Sequence, residues 1–330
     1  MSRAELRIES LAAGGDGVAH LPDGRVVFVP FTAPGDLVRV RLVDTRARFA
    51  RGRVEELLEA GPARALPACP AFGSCGGCTW QHVDYAAQLE AKRRILCDAI
   101  RRIGGLDEPQ VGPVMPSPSE YAYRGRTRVR VEGGRVGYLR RRSHALCAVS
   151  RCPVLVPELD QRLRELAAHP PQREGEWELA SGSGEVRATP LGAPGAARIR
   201  LEVGDRRIGV SSGVFAQSNA LMLDALASRV GEAAGCGELA VELYAGAGLL
   251  TVGLAERFDR VVAVEGDLTA VGDLRANLAE AGLDGVEVLA ESVERALGGL
   301  AGCSPDLLLL DPPRSGLARG SADALAAVGA

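Results

Sequence analysis

The sequence predicts a chain of mixed class, a β-rich N-terminal part leading into an α/β domain, and three observations predict it. Residues 3–60 alternate short apolar runs with Gly, Pro and Asp turns, the rhythm of a small β-barrel. A cysteine cluster, Cys69, Cys75 and Cys78, stands at the head of a central region with strand-like stretches over 120–155 and 196–215. From Glu238 onward, continuous apolar runs alternate with helical periodicity, as expected for a parallel sheet buried on both faces.

The elements follow in order. Arg25–Phe31 and Leu37–Val43 read as strands joined by the turn Ala33–Asp36, and a Pro-containing link over 61–70 opens the cysteine segment. Asp84 to Ile103 reads as a helix, capped by Asp84 and stopped by Gly104-Gly105. Residues 170–195 are rich in Pro, Gly, Ser and Glu and read as loop or hairpin tips. Leu239–Gly246, Arg260–Asp267, Val286–Glu291 and Asp306–Arg314 read as strands, with helices over Leu249–Arg257 and Leu268–Gly282. The expected domains are 1–60, 61–220 and 221–330.

Composition bounds the rest. The 330 residues are 46% hydrophobic and 25% charged, ordinary for a globular chain of two or three domains. Lys92 is the single lysine, and Arg supplies the other positive side chains. The net charge of −3 hides an arginine-rich stretch over 120–151 beside an acidic C-terminal third, an asymmetry suited to docking a polyanion, although a charge run is more often a solvated face. No apolar run approaches the ~18 residues that span a bilayer, and the first residues show no signal-peptide core. The expectation is a cytoplasmic protein, monomeric, with no membrane partner. Eight cysteines in a reducing compartment point to metal or redox chemistry rather than disulfides.

Five motifs carry chemistry. Glu242-Leu-Tyr-Ala-Gly246-Ala-Gly248 turns from strand to helix, and Glu265 ends the next strand, where an acid can hydrogen-bond both ribose hydroxyls. Nicotinamide enzymes use a similar geometry but usually carry a third glycine. Asp311-Pro312-Pro313-Arg314-Ser315-Gly316 closes the fourth strand with a carboxylate and a rigid turn, similar to the fourth-strand motif of class I methyltransferases. Amino-methylating relatives have an aromatic residue where Arg314 stands.

The cysteines form a soft-ligand hook, with glycines easing the turn and Cys152, followed by Pro153, as the best fourth ligand. Zinc is the rival metal. Cys97, Cys147, Cys236 and Cys303 read as isolated small buried residues. Tyr121-Ala-Tyr123-Arg124-Gly-Arg126 interleaves aromatic rings and guanidinium groups, so Arg124 and Arg126 are candidate RNA contacts, with an exposed amphipathic strand as the equal alternative. Gly213-Val-Phe215-Ala-Gln217-Ser-Asn219 precedes a helix and offers two amides to a ligand or a base.

Together these pieces resemble the RNA uracil-5 methyltransferase family, which includes TRAM-domain rRNA enzymes and a tRNA enzyme. The resemblance runs the length of the chain: an OB-like TRAM barrel at the start, CPAFGSCGGCTWQH, YRGR with Gly125 for the family's Asn, VFAQSNA, ELYAGAG and DPPRSG. It implies an N-terminal TRAM barrel that binds RNA, a central cluster-bearing region and a Rossmann-like class I methyltransferase domain. It implies that Cys69, Cys75, Cys78 and Cys152 hold a [4Fe–4S] cluster, and that Gln217, Tyr244, Gly246, Glu265 and Asp311 form the S-adenosylmethionine site. The barrel favours rRNA over tRNA.

Two departures accompany it. Leu249 replaces an Asn, and the family's catalytic cysteine and general-base Glu belong beyond Ala330, so the sheet is expected to be incomplete, the chain truncated and methylation inefficient. Carbon 5 of uracil is a poor nucleophile until a thiolate adds to carbon 6, and Cys303 lies at the wrong end of its strand. The other readings are a non-catalytic RNA-binding protein with an iron–sulfur cluster, and a methyltransferase for a ring or exocyclic nitrogen.

Overall fold

A computed structural model describes residues 2–193 and 198–329. The sequence reading of 170–195 as loop and of 196–215 as strand lies outside the described residues at 194–197. The chain divides into two compact units: residues 1–120 with 136–153, and residues 121–135 with 154–330. The central region 61–220 is thus shared between them.

In the first unit, strands Arg3–Arg7, Ser10–Leu11, Gly17–His20, Val26–Val29, Leu37–Thr45 and Phe49–Glu59 form one sheet. Leu37–Thr45 pairs antiparallel with both Arg3–Arg7 and Phe49–Glu59, and Val26–Val29 runs parallel to Phe49–Glu59. Alternation decides the faces. Val38, Val40 and Leu42 point inward, while Arg39 and Arg41 point out to Glu5, Glu55 and Glu56. One apolar cluster gathers Leu6, Ile8, Ala19, Val27, Val29 and Ala50 with those three. It draws on strands from across the sheet, so the sheet curls around a single core. Each buried Val or Leu contributes ~1.5–3 kcal/mol.

The expected helix spans Tyr85–Arg102. The Asp84 carboxylate accepts from the amides of Ala86 and Ala87, and Arg101 and Arg102 sit in the last turn against the negative end of the dipole. Leu11, Ala33, Val83 and Ala91 bury the seam between helix and barrel. A short pair, Arg135–Leu139 with Leu146–Ala148, completes this unit from residue 136 on.

In the second unit, strands Arg126–Glu132, Gly175–Gly182 and Glu185–Pro190 pair antiparallel, and the helix Pro157–Ala168 buries Leu159, Leu163 and Leu166 on one face. The 170–195 stretch is therefore a strand hairpin within its described part, not loop alone. Its outer strand shows six residues without a buried side chain, which hides the alternation that marks a strand. A second hairpin joins Arg198–Val203 to Arg206–Ser211.

The parallel sheet follows. Strands Gly237–Leu243, Phe258–Val264, Val286–Leu289 and Leu307–Leu310 lie in the order third, second, first, fourth, all parallel. Leu268–Ala281 is the expected helix, capped by Asp267 and ended by Gly282 in the left-handed conformation. The helix expected over 249–257 shrinks to Thr251–Leu254, because a tight turn with Gly248 at φ +89° feeds it. Four strands form, as expected. Val328 and the short helix Ser321–Ala326 cover part of the face that Leu308 and Leu310 present. No helix is long and apolar enough to cross a membrane among the described residues.

Candidate functional site

Sheet register brings the second unit's site residues together. Leu243 sits opposite Val264 on one side and Leu310 on the other. The next residues along each strand, Tyr244, Glu265 and Asp311, leave the sheet in one row at its carboxyl edge. The chain turns back there, sending one neighbour to each side, which is where open α/β sheets hold ligands. Tyr244, Gly246 and Gly248 all take positive φ, so the backbone doubles back sharply over this edge. Glu265 braces the turn: one carboxylate oxygen accepts from the Gly246 amide at 2.8 Å and the other from the Asp267 amide at 2.7 Å. Burial raises the Tyr244 phenol, with the Glu294 charge adding to it. Asp311 is exposed at the mouth, and Gly316 donates to the Pro313 carbonyl at 2.8 Å to close the proline turn.

Three further residues support this row and were not read from the sequence as functional. Glu242 lies beneath the turn with 3% of its surface exposed. One of its carboxyl oxygens has no hydrogen-bond partner among the described residues, nor does the hydroxyl of the wholly buried Thr251. The available signal was a carboxylate inside an otherwise apolar strand. Asn277, also buried, ties the turn to the second hairpin. It donates to the Ala247 carbonyl at 2.8 Å and the Gly209 carbonyl at 2.9 Å, and accepts from the Gly209 amide and Arg198. Asp273, one helical turn earlier, receives the Ser211 amide and hydroxyl and pairs with Arg198 at 3.0 Å.

Two motifs far apart in sequence meet by backbone pairing. The Gly125 amide donates to the Ser218 carbonyl at 2.9 Å, and the Ala220 amide to the Tyr123 carbonyl at 2.8 Å. This fixes Gln217 and leaves Phe215 74% exposed. Arg126, a candidate RNA contact by sequence, is held within the unit. Its side chain is 12% exposed and bonds Glu178 at 2.6 Å and the Ser211 carbonyl at 2.8 Å, so it braces the unit instead of reaching out. Arg124 keeps a buried Nε without a hydrogen-bond partner among the described residues, while its backbone joins Val154 and Val156.

The cysteine segment belongs to the first unit. Asp36, fully buried, receives Arg64 at 2.5 Å and the amides of Ala33 and Gly61, which pins the start of the loop. His82 bonds the Thr32 carbonyl at 3.1 Å, and burial pushes its imidazole pKa down. Arg141 covers the Phe31 ring and pairs with Asp16 at 2.7 Å. The Gly76 amide donates to the Leu139 carbonyl at 2.9 Å, bringing the Cys75 turn to the strand pair. The Cys69 amide donates to Gln81 at 3.1 Å.

Burial pushes the Cys75 thiol up to about 11, the Gly77 amide pulls the other way, and Cys147, Cys78 and Cys152 add to the rise. Cys78 and Cys152 thus both act on Cys75, and thiols are the donors an iron–sulfur group takes. Among the described residues, however, no three His, Cys, Asp or Glu side chains converge closely enough to hold a metal ion. Of the cysteines read as isolated and buried, only Cys147 is buried, and it adjoins Cys75; Cys236 is exposed, Cys97 and Cys303 half-buried.

A curled N-terminal barrel and a parallel sheet with a glycine turn and strand-end carboxylates define an α/β methyltransferase class carrying a nucleic-acid-binding type of barrel. The TRAM domain family matches residues 2–54. An uncharacterized RNA methyltransferase of Synechocystis sp. is 31% identical over 383 residues, covering 96% of this chain and 82% of that protein. The 23S rRNA (uracil(1939)-C(5))-methyltransferase of Halomonas elongata is 31% identical over 371 residues, covering 95% and 77%. The fold is that of the Pyrococcus abyssi tRNA (uracil-54, C5)-methyltransferase, solved with S-adenosyl-L-homocysteine. The TM-score is 0.71 at 23% identity, covering 95% of this chain and 84% of that one. The chain belongs to the RNA uracil-C5 methyltransferase family.

Proposed function

We propose that the protein uses S-adenosylmethionine to methylate uridine at carbon 5 in RNA, with 23S rRNA as its substrate. The observation that carries this reading is the row of Tyr244, Glu265 and Asp311 at the carboxyl edge of the parallel sheet, set around the Gly246–Gly248 turn. When bound there, the donor supplies an electrophilic methyl group. Glu265, already turned toward the glycine backbone, accepts hydrogen bonds from paired ribose hydroxyls. The positive φ of the glycines lets the backbone approach the nucleoside closely. Gln217 and Asp311 would complete the donor site, and the rigid Pro312-Pro313 turn would form the wall against which the base stands. The relatives' names support the RNA substrate, and the Halomonas relative's name supports rRNA.

The thiolate that carbon-5 chemistry calls for is not supplied at this edge by Cys303, which precedes its strand at the far end from Asp311. We also propose that Cys69, Cys75, Cys78 and Cys152 hold a [4Fe–4S] cluster, supported by the thiol set around Cys75. Calorimetry with S-adenosylmethionine tests the donor site. Micromolar uptake that Glu265→Ala weakens by roughly tenfold or more, about 1.4 kcal/mol, is expected. Absence of uptake by the wild-type protein refutes the reading and favours a non-catalytic RNA-binding role. Mass spectrometry of incubated 23S rRNA then locates the methyl group.

A further inference from the structure

Glu242 has no place in the binding roles above, yet it is among the most tightly enclosed carboxyl groups of the second unit, 3% exposed. Its strand neighbours in register are Ala263 and Leu309, which offer neither charge nor hydrogen bond from their side chains. The groups that act on it from the surrounding elements are the Thr251 hydroxyl and the carboxylates of Asp311 and Glu265. No cation is among them. Two polar atoms enclosed at the same place, Glu242 Oε2 and Thr251 Oγ1, lack a hydrogen-bond partner among the described residues.

An isolated ionised carboxylate in such a place is costly, and two neighbouring carboxylates make it costlier. A buried carboxyl group whose only neutral polar neighbour is the Thr251 hydroxyl, flanked otherwise by negative charge, is suited to receive a positive one. The donor brings two positive centres, a sulfonium and an ammonium.

Resting on the reading that the glycine turn holds S-adenosylmethionine, we propose that Glu242 is an uncharged carboxylic acid in the free protein and releases its proton to solvent when the cationic donor binds. Burial, the largest cause, pushes its pKa up to about 8, with Asp311 and Glu265 adding and Thr251 opposing. At pH 7 the uncharged acid is therefore the favoured form before the donor arrives. A cation alongside stabilises the ionised form and lowers that value, so binding and proton release are linked.

The test is calorimetric titration of the full chain with S-adenosylmethionine at pH 7, in buffers of different ionisation enthalpy. The slope of observed heat against buffer enthalpy counts protons exchanged. The expected result is release of somewhat under one proton by the wild type, and about one proton fewer by Glu242→Gln, which mimics the neutral acid. The donor's own amine titrates near pH 8, and the difference between the two proteins removes its share. Donor binding with no proton release by the wild type overturns the inference. Equal release by the Gln variant also overturns it, since the proton then comes from another group. Failure of the wild type to bind at all overturns the donor-site reading and this inference with it.

Discussion

Replacing Asn277 with Ala is the sharpest test of how the glycine turn is held. The side chain makes four hydrogen bonds, to the Ala247 carbonyl, to both backbone groups of Gly209 and to Arg198. It is 1% exposed, so water does not replace what is lost. The Gly209 carbonyl keeps a long contact from Arg198 at 3.4 Å, but the Ala247 carbonyl and the Gly209 amide lose the partner described here. Each stranded buried group costs ~1–3 kcal/mol, giving ~2–6 kcal/mol in all. Against a total stability of ~5–15 kcal/mol that is a large share. Urea unfolding is the assay, and the midpoint should fall with the slope unchanged. Amide exchange at Gly209 should quicken beyond the global change, because its amide loses the Asn277 acceptor and the tether is local. Asn277→Asp keeps the acceptor bonds but removes both donors and sets a second carboxylate beside Asp273; it should cost at least as much. A loss under ~1 kcal/mol for Asn277→Ala would show that the turn does not depend on this amide.

Asp36 gives a pH-dependent case. Burial alone would raise its pKa, but Arg64 and the amides of Ala33 and Gly61 outweigh that and hold it low. Its stabilising effect is therefore present above the unfolded value of about 4 and is lost as pH falls through the lower folded value. Asp36→Asn should cost ~3 kcal/mol at neutral pH by thermal or urea unfolding, and the gap between the proteins should close in acid. Gly248→Ala places a side chain at φ +89° and 2.5 Å from Leu274 Cδ1. A penalty of ~1–2 kcal/mol from the left-handed conformation alone is expected, together with weaker donor binding by calorimetry. Cys75→Ser, purified without oxygen, should be colourless and low in iron while the wild type is brown; equal iron in both would remove Cys75 from the ligand set.

Much of this was legible because local chemistry and global fold agree. Asp84 caps the helix it was expected to cap, and Val38, Val40 and Leu42 turn inward by simple alternation. The glycine turn and Glu265 meet because two parallel strands of equal register carry them to one edge. What escaped depends on contacts across sequence. Arg126 has the look of a surface guanidinium, and only its partner Glu178, on another strand, shows that it is buried. Asn277 and Asp273 sit on a helix like any polar residues, and their role comes from a hairpin some sixty positions earlier. The strand Glu185–Pro190 exposes too much of itself to leave an apolar rhythm. Cys147 gave no motif; it meets Cys75 only after the chain folds back.

The first unit is assembled from two separated pieces of chain, 1–120 and 136–153, with a strand of the second unit emerging between them. A ribosome making this protein therefore exports a barrel whose cysteine turn still waits for its backbone partner at Leu139. The Gly76–Leu139 tether can therefore form only after the chain has been made past residue 139. A fragment cut at residue 120 would leave the first unit unfinished, so dissecting this molecule calls for loop excision or circular permutation instead of simple shortening.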